Sequence, residues 1–333
     1  MAEEEGGIVD PLEARAGDVL DGRFEVLRRL GSGATAVALL VADDQAGGAQ
    51  RVLKVALNDD RAAQLTAEAD VLARLAHPAI VRLISDPLTI GGRRALLLAR
   101  AGERTLSERI ATDGPPGLEL LERWGNDLLA AVAHLEECGL AHRDIKPDNI
   151  GVAEQGKNKE LHLVVFDLSL ARVPADELGV GTTGYVDPFL RQPGRGRWDT
   201  HAERFAAAVT LHQLATGELP RWGAEGVDPL MTDAEVTIDP ARFDPALAGR
   251  FVDFFRTAFA RDVTSRFGSI EDMATAWRRC FEPAAVPVPG PEPAPPRLDD
   301  ATLTTPLTDL GLSNRATSAL ERAGLLTVGD LLT

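Results

Sequence analysis

The apolar positions of this chain change their period after roughly the first hundred residues. Before residue 101, four segments alternate apolar and polar residues or form apolar runs, as β-strands do: 21–30, 51–57, 77–83 and 95–100. A glycine-bearing turn leading into a further strand follows the first of them, at 31–41. Between the second and third of these segments, residues 61–75 carry leucines at helical spacing. Later segments predict helices at 118–138, 198–217, 247–259 and 270–281, and short strands at 151–153 and 161–166. The pattern therefore predicts a small β-rich part with one helix, followed by a mainly helical part.

Proline content marks the end of the globular part. Residues 283–300 contain a proline run that cannot form a helix and should be an extended linker. Residues 1–20 have the composition of a flexible lead-in, which leaves 21–282 as the globular part. Beyond the linker, residues 301–333 predict two or three small helices separated by glycine turns. This module is too short to build a core of its own, and we expect it to be incomplete.

The charge and the cysteine content argue against several classes of function. A formal net charge of -16 opposes general binding to nucleic acid or to an anionic membrane. Cys138 and Cys280 match neither a disulfide framework nor a metal-ligand spacing, so we interpret both as free thiols. The acidic start lacks the order of a secretory signal, and no segment is apolar for long enough to span a bilayer. We therefore expect a cytoplasmic protein.

The stretch from His142 to Ile150 carries the residue types of a phosphoryl-transfer site. Its sequence is His-Arg-Asp-Ile-Lys-Pro-Asp-Asn-Ile. Asp144 can accept the proton of an attacking hydroxyl, Lys146 can contact the transferring phosphate and Asn149 can hold a metal ion. The alternative is a surface turn, because His, Asp, Pro and Asn all favour turns. The order of all nine residues favours phosphoryl transfer.

Three more charged residues have positions that such a site requires. Lys54 lies mid-strand between apolar neighbours, where the alternative is an outward, solvated side chain. Glu68 falls inside the apolar stripe of its helix, and a buried carboxylate needs a cation, for which Lys54 is the candidate. Asp167 follows the strand at 161–166 and can ligate a metal ion, the alternative being a turn at the strand end.

Residues 22–282 taken together resemble a bacterial eukaryotic-type (Hanks-type) serine/threonine protein kinase. The resemblance implies an α+β fold of two lobes: a small antiparallel-sheet lobe with one helix at 21–98, a hinge at 99–102 and a mainly helical lobe at 103–282. It also implies ATP as the phosphate donor and Mg²⁺ as the cofactor. The implied catalytic residues are Asp144, Lys146 and Thr182, and the implied metal ligands are Asn149 and Asp167. The implied ATP-binding residues are Leu30, Gly31, Ser32, Gly33, Ala38, Val52, Lys54, Glu68 and Leu98.

Several positions around the implied site depart from the family pattern. Ala36 replaces the third glycine of the glycine loop, and Leu168 and Ser169 stand where the family has Phe and Gly after the metal-binding aspartate. Gly151 replaces the leucine that normally lies under the adenine ring, which predicts a roomier pocket.

The large lobe shows two further departures. Phe189 replaces the glutamate that normally pairs with an arginine at the position of Arg266, so we expect Asp187 to be the new partner. Glu203 replaces an aspartate and keeps its charge.

Arg143 precedes the implied catalytic base, and in such kinases this arginine usually meets a phosphorylated residue of the activation segment. Here residues 170–181 contain no Ser, Thr or Tyr. We therefore expect one of two sources for the anion: a built-in acid, Asp176 or Glu177, or phosphorylation of Thr182 or Thr183.

The tail resembles the helix-hairpin-helix region in the C-terminal domain of RNA polymerase alpha. Acidic residues outnumber basic ones there, so we expect the tail to bind protein rather than DNA. A kinase domain, a proline spacer and this module in this order resemble the front of the PglW-type kinases of phage-exclusion (BREX, phage growth limitation) systems.

Three functions follow as alternatives. The first is an active kinase with a protein substrate, for which the chain itself is one candidate. The second is a pseudokinase, a nucleotide-binding scaffold, which the departures from the family pattern favour. The third is a tether whose functional end is the tail.

Overall fold

The computed structural model describes residues 9–192, 194–223 and 227–282, together with 302–310, 312, 316, 319–320 and 322–331 of the tail. The chain divides into two compact units, Met1–Glu282 and Pro283–Thr333. The division falls where the proline run begins, but the predicted linker at 283–300 lies outside the described residues. The larger unit has an α+β fold with a sheet-rich small lobe and a mainly helical large lobe, which confirms the predicted fold class.

The small lobe is an antiparallel sheet of six strands with one helix. In chain order the strands are β1 (Val19–Leu20), β2 (Phe24–Ser32), β3 (Ala36–Asp43), β4 (Ala49–Ala56), β5 (Leu88–Ile90) and β6 (Arg93–Ala99). Their order across the sheet is β1-β2-β3-β4-β6-β5. The helix α1 (Asp59–Leu72) is capped by Asn58, whose side chain accepts a hydrogen bond from the backbone N–H of Arg61.

Both faces of this sheet are covered, because its strands are apolar on both sides. Helix α1 covers the face that also contacts the large lobe. The other face is covered in part by residues 9–14, among which Ala14 is 4% exposed. Asp10 pairs with Arg93 at 3.3 Å, and Arg29 donates to the carbonyl of Leu12 at 2.6 Å. For residues 9–20 the predicted flexible lead-in was therefore wrong, whereas residues 1–8 lie outside the described residues.

The strand predicted at 77–83 does not form. The segment instead crosses between the lobes and makes two isolated bridges, Ile80 with Val165 and Leu83 with Leu98. Its apolar side chains are buried by tertiary packing, and an apolar run alone does not distinguish that from a strand.

The large lobe contains five helices in its described part. They are α2 (Leu106–Asp113), α3 (Leu118–Glu137), α4 (Thr200–Thr216), α5 (Ala248–Ala258) and α6 (Ile270–Cys280). Its strands are β7 (Arg104–Thr105), β8 (Ile150–Gln155) and β9 (Glu160–Val165), which form one sheet, and β10 (Arg221–Trp222) and β11 (Val236–Thr237), which form another. Helix α4 is buried along most of its length, as its alanine-rich sequence allows. In the described part of the chain, no helix is both long and apolar enough to cross a membrane.

The tail, as far as it is described, combines turns with helical residues at 316, 319–320 and 322. Short 3-10 helices occupy Leu307–Leu310 and Gly329–Leu331. Pro306 pairs with Thr327, and Leu307, which is 1% exposed, donates its N–H to the carbonyl of Leu326 at 2.9 Å.

Candidate active site

Lys54 is the point at which strand β4, helix α1 and the end of β9 meet. Its ammonium donates to both carboxylate oxygens of Glu68, at 2.9 and 2.7 Å, and to Oδ1 of Asp167 at 2.7 Å. Glu68 is 2% exposed, so the carboxylate inside the apolar stripe of α1 does have the cation that the sequence predicted. Burial alone would raise the pKa of Asp167, but the charge and hydrogen bond of Lys54 outweigh it and hold the pKa at about 2.

The predicted catalytic side chains converge around Asp144. The ammonium of Lys146 lies 2.7 Å from Oδ2 of Asp144 and donates to the hydroxyl of Thr182 at 2.6 Å. That hydroxyl in turn donates to Oδ1 of Asp144 at 2.6 Å. Asn149 donates from its side-chain amide to the carbonyl and to Oδ2 of Asp144, at 2.8 and 2.9 Å. All three predicted catalytic residues and Asn149 thus belong to one hydrogen-bonded group.

The backbone of this loop is held from behind by a buried acid. Glu203 on helix α4 is 1% exposed and accepts the N–H of His142 at 2.6 Å and that of Arg143 at 3.2 Å. The ring of His142 links the loop to the end of β9, since Nε2 lies 2.9 Å from the carbonyl of Phe166. Arg143 and Asp167 have left-handed backbones, with φ of 68° and 67°. Such strain persists only where surrounding contacts fix the backbone, as these do.

Asn149 and Asp167 have the oxygen donors that a magnesium ion prefers. Phe166, which precedes Asp167, donates its N–H to the backbone carbonyl of Asn149 at 2.9 Å, so the chain brings the two residues together. Because the amide nitrogen of Asn149 is used by Asp144, its amide oxygen remains available as a ligand. The donor set therefore fits a metal ion that is also bound by phosphate oxygens.

Apart from Glu68 on α1 and Gly33 just after β2, the residues implied for ATP binding lie on strands of the small lobe. Ala38 pairs with Gly31 on one side and with Lys54 on the other, and Val52 pairs with Leu98. The rest of the glycine loop is exposed; it comprises Leu30, Ser32 and Gly33. The loop thus lies two strands away from the Lys54 ammonium, as a phosphate-covering loop requires.

The hinge occupies the space in which the replacement of leucine by Gly151 was expected to give a roomier pocket. A Cβ atom on Gly151 would lie 2.0 Å from the carbonyl oxygen of Ala101, and a Cβ on Gly102 would lie 2.0 Å from that of Val152. The hinge backbone therefore rests directly on strand β8 and fills the space that the missing side chain leaves. The prediction of extra room at Gly151 was wrong for this reason.

Asp187 is the partner of Arg266, as predicted. Its carboxylate accepts from Arg266 at 2.6 and 3.2 Å and from Arg195 at 2.6 Å, and all three side chains are buried. Arg195 was not predicted from the sequence, and it also pairs with Asp199 at 2.8 Å. The spacing of Arg195 and Asp199 could have indicated a local pair, although nothing in the sequence links either of them to Asp187.

The guanidinium of Arg143 was expected to meet an anion, but the structure shows other contacts. Among the described residues, no ion pair joins Arg143 to Asp176 or Glu177. The guanidinium instead donates to the carbonyl of Pro174 at 2.9 Å and lies over the ring of Trp198 at 5.6 Å. Asp176 and Glu177, one of which was predicted to supply the anion, therefore act on Arg143 through their charges without a direct ion pair, and the contact with Trp198 was not predicted.

Comparison with known proteins agrees with this geometry. Residues 24–277 match the family described as protein kinase domain. The chain belongs to the protein kinase family. "Probable kinase PglW" of Streptomyces coelicolor is 40% identical over an alignment of 394 residues, which covers 99% of this chain and 25% of that protein. This confirms both the kinase resemblance and the resemblance to PglW.

Other relatives are bacterial serine/threonine-protein kinases. "Serine/threonine-protein kinase pkn2" of Myxococcus xanthus is 30% identical over 61% of this chain and 25% of that protein. "Serine/threonine-protein kinase PrkC" of Bacillus subtilis is 25% identical over 80% of this chain and 42% of that protein. The chain thus spans a quarter of the length of PglW and of pkn2, and less than half that of PrkC.

Proposed function

We propose that this chain is an ATP- and Mg²⁺-dependent protein kinase that phosphorylates serine or threonine. The observation that carries the proposal is the position of Lys54, which contacts Glu68 on α1 and Asp167 after β9 at the same time, at 2.7 Å each. These contacts join the nucleotide side of the site to the metal side. The serine/threonine preference is supported by the Lys-Pro-Asp-Asn order of the catalytic loop and by the names of the bacterial relatives.

Each charged residue has a defined task in this proposal. Asp144 orients the substrate hydroxyl and accepts its proton, and Lys146 offsets negative charge on the transferred phosphoryl group. Thr182 fixes the orientation of both side chains through its two 2.6 Å hydrogen bonds. Lys54 holds the phosphates of ATP, and Glu68 orients Lys54.

Asn149 and Asp167 would hold the magnesium ion. When bound, the ion neutralises charge on the phosphate oxygens. Asp167 is suited to this role because its pKa of about 2 keeps it ionised at any physiological pH.

The decisive experiment follows transfer of label from radiolabelled ATP with magnesium, both to the chain itself and to a generic protein acceptor. We expect Asp144→Asn to lower the rate by about 10²- to 10⁴-fold. Asp148→Asn is the matched control, because it removes an exposed acid of the same loop and should leave the rate unchanged. Equal rates for the parent and Asp144→Asn would refute the assignment. No transfer by the parent, with thermal stabilisation by ATP, would favour the scaffold.

We further propose that the kinase acts in the cytoplasm in a phage-exclusion system and that its acidic tail binds protein. The resemblance to PglW along nearly the whole chain supports the first point, and the excess of acidic residues in the tail supports the second. Deletion of the gene in its host should raise the plating efficiency of an excluded phage. Complementation by the parent but not by Asp144→Asn would support the role, whereas equal complementation by both would show that kinase activity is not needed.

A further inference from the structure

Arg143, the residue before Asp144, is a buried cation. The residue is 5% exposed, and its Nε has no hydrogen-bond partner among the described residues. Burial lowers the pKa of Arg143, while the charges of Glu203, Glu177 and Asp176 oppose the shift. A buried cation is costly unless other groups compensate for the lost water. The groups that do so should also fix the backbone of Asp144, the next residue in the chain.

One side chain that contacts the guanidinium directly is Trp198. Its ring centre lies 5.6 Å from the guanidinium carbon of Arg143, which is the distance of a cation–π contact. The guanidinium also donates a hydrogen bond to the carbonyl of Pro174 at 2.9 Å. Both partners are uncharged, and both are built into the fold.

Trp198 also connects the activation segment to the catalytic loop. Its backbone N–H donates to the carbonyl of Ala175 at 2.7 Å, next to Pro174. Its indole N–H donates to Oε2 of Glu203 at 3.0 Å. The same carboxylate accepts the backbone N–H groups of His142 and Arg143. One residue, which is 7% exposed, therefore holds the activation segment, the buried guanidinium and the acid behind the catalytic loop.

We propose that Trp198 is a positioning residue which, with the carbonyl of Pro174, fixes Arg143 and thus Asp144 without any phosphate on the activation segment. The kinase would then need no activating phosphorylation there. The contacts of Thr182 agree with this, because its hydroxyl is committed to Lys146 and Asp144 at 2.6 Å each. A phosphate on that oxygen would put further negative charge against Asp144. This inference rests on the proposed kinase activity.

The first test uses kinetics on three tryptophan variants. Trp198→Ala removes the ring and the donor, Trp198→Phe removes the donor but keeps a smaller aromatic ring, and Trp124→Phe is the matched control. Trp124 also has a buried indole, but this one donates to the carbonyl of Leu161 at 3.0 Å and lies against Arg109 rather than Arg143. We expect kcat to fall by about tenfold or more for Trp198→Ala and by less for Trp198→Phe, with KM for ATP unchanged and the control near the parent. Equal kcat for Trp198→Phe, Trp198→Ala and the control would overturn the proposal.

The second test asks directly whether a phosphate is needed. The mass of the intact protein is measured before and after phosphatase treatment, and the rate is measured on both samples. An unchanged rate is expected. A phosphate on Thr182 or Thr183 whose removal abolishes transfer would overturn the proposal while leaving the kinase assignment intact.

A third readout does not depend on activity. Arg172 lies exposed in the activation segment, so trypsin cleavage there reports how firmly the segment is held. Trp198→Ala removes the ring that holds Arg143 against the carbonyl of Pro174, so it should be cleaved faster than Trp124→Phe. Equal cleavage of the two variants would overturn the proposal, whether or not the parent transfers phosphate. Absence of transfer by the parent would instead contradict the proposed kinase function. Should Trp198→Ala not fold, Trp198→Phe still carries the kinetic measurement, and the phosphatase test on the parent keeps the proposal refutable.

Discussion

Gly151→Ala tests the packing of the hinge directly. A methyl group on Gly151 would lie 2.0 Å from the carbonyl oxygen of Ala101 and 2.9 Å from its Cβ. Because non-bonded atoms at optimal separation lie about 3.5 Å apart, the hinge would have to retreat by roughly 1.5 Å. That retreat is restricted, since the chain pairs with the same strand again only a few residues later, where Thr105 lies opposite Gly151.

Overpacking of this kind typically costs about 1–3 kcal/mol. The displaced atom is backbone rather than a flexible side chain, so we expect a loss of about 3 kcal/mol in the free energy of unfolding, measured by urea denaturation. The hinge also borders the proposed ATP site, and we expect the affinity for ATP, measured by calorimetry, to fall about tenfold. Gly151→Leu restores the residue that the family usually has, yet it should be more harmful still.

Gly249→Ala is the control for this substitution. Gly249 is exposed in α5, and no described atom lies within 4 Å of the added methyl, so the change should stabilise the protein by about 0.5–1 kcal/mol. A stability of Gly151→Ala within about 0.5 kcal/mol of the parent, with unchanged affinity for ATP, would refute the reasoning.

Two further predictions concern buried or coupled charges. Asp187→Asn leaves the guanidinium groups of Arg195 and Arg266 without their shared carboxylate, and we expect the free energy of unfolding to fall by about 3–5 kcal/mol in urea denaturation; a loss below about 1 kcal/mol would contradict this. Asp167 has a pKa of about 2, below its ordinary value of 3.8, so its contact with Lys54 stabilises the fold above pH 4 and is lost as the pH falls toward 2. The stability difference between the parent and Asp167→Asn should therefore be equal at pH 7 and pH 5 and should shrink below about pH 4, whereas a difference that changes between pH 7 and pH 5 would contradict the assignment.

The elements that the sequence predicted well are those whose signal is local and long. The helix predicted at 118–138 is observed as Leu118–Glu137, and that at 270–281 as Ile270–Cys280, because an amphipathic period sustained over eleven or more residues is typical of a helix and of little else. The charged residues of the site could likewise be predicted from the sequence. Glu68 was predictable because a carboxylate within an apolar stripe needs a partner.

The elements that sequence reasoning missed are of two kinds: some are short, and others depend on contacts between residues that are distant in sequence. Strand β5 has three residues and exists by pairing with β6, and residues 9–14 are ordered because a sheet face needs cover. Helix α2 is different, since its start carries a local signal. Thr105 accepts from the N–H of Glu108, while the Glu108 side chain accepts from that of Thr105, which is a capping box in the sequence Thr-Leu-Ser-Glu.

The supporting residues of the site could not be read one at a time, because each substitution makes sense only with its partner. Phe189 removes a carboxylate, and Asp187 supplies one two residues earlier, so Arg266 remains paired although the backbone position of the acid has moved. Glu203 similarly works together with Trp198, whose indole N–H takes up one carboxylate oxygen. Motif comparison counts each such change as a loss. The contacts show instead that Arg266 and Glu203 both keep buried polar partners, so departures of this kind are weak evidence for a decayed kinase site.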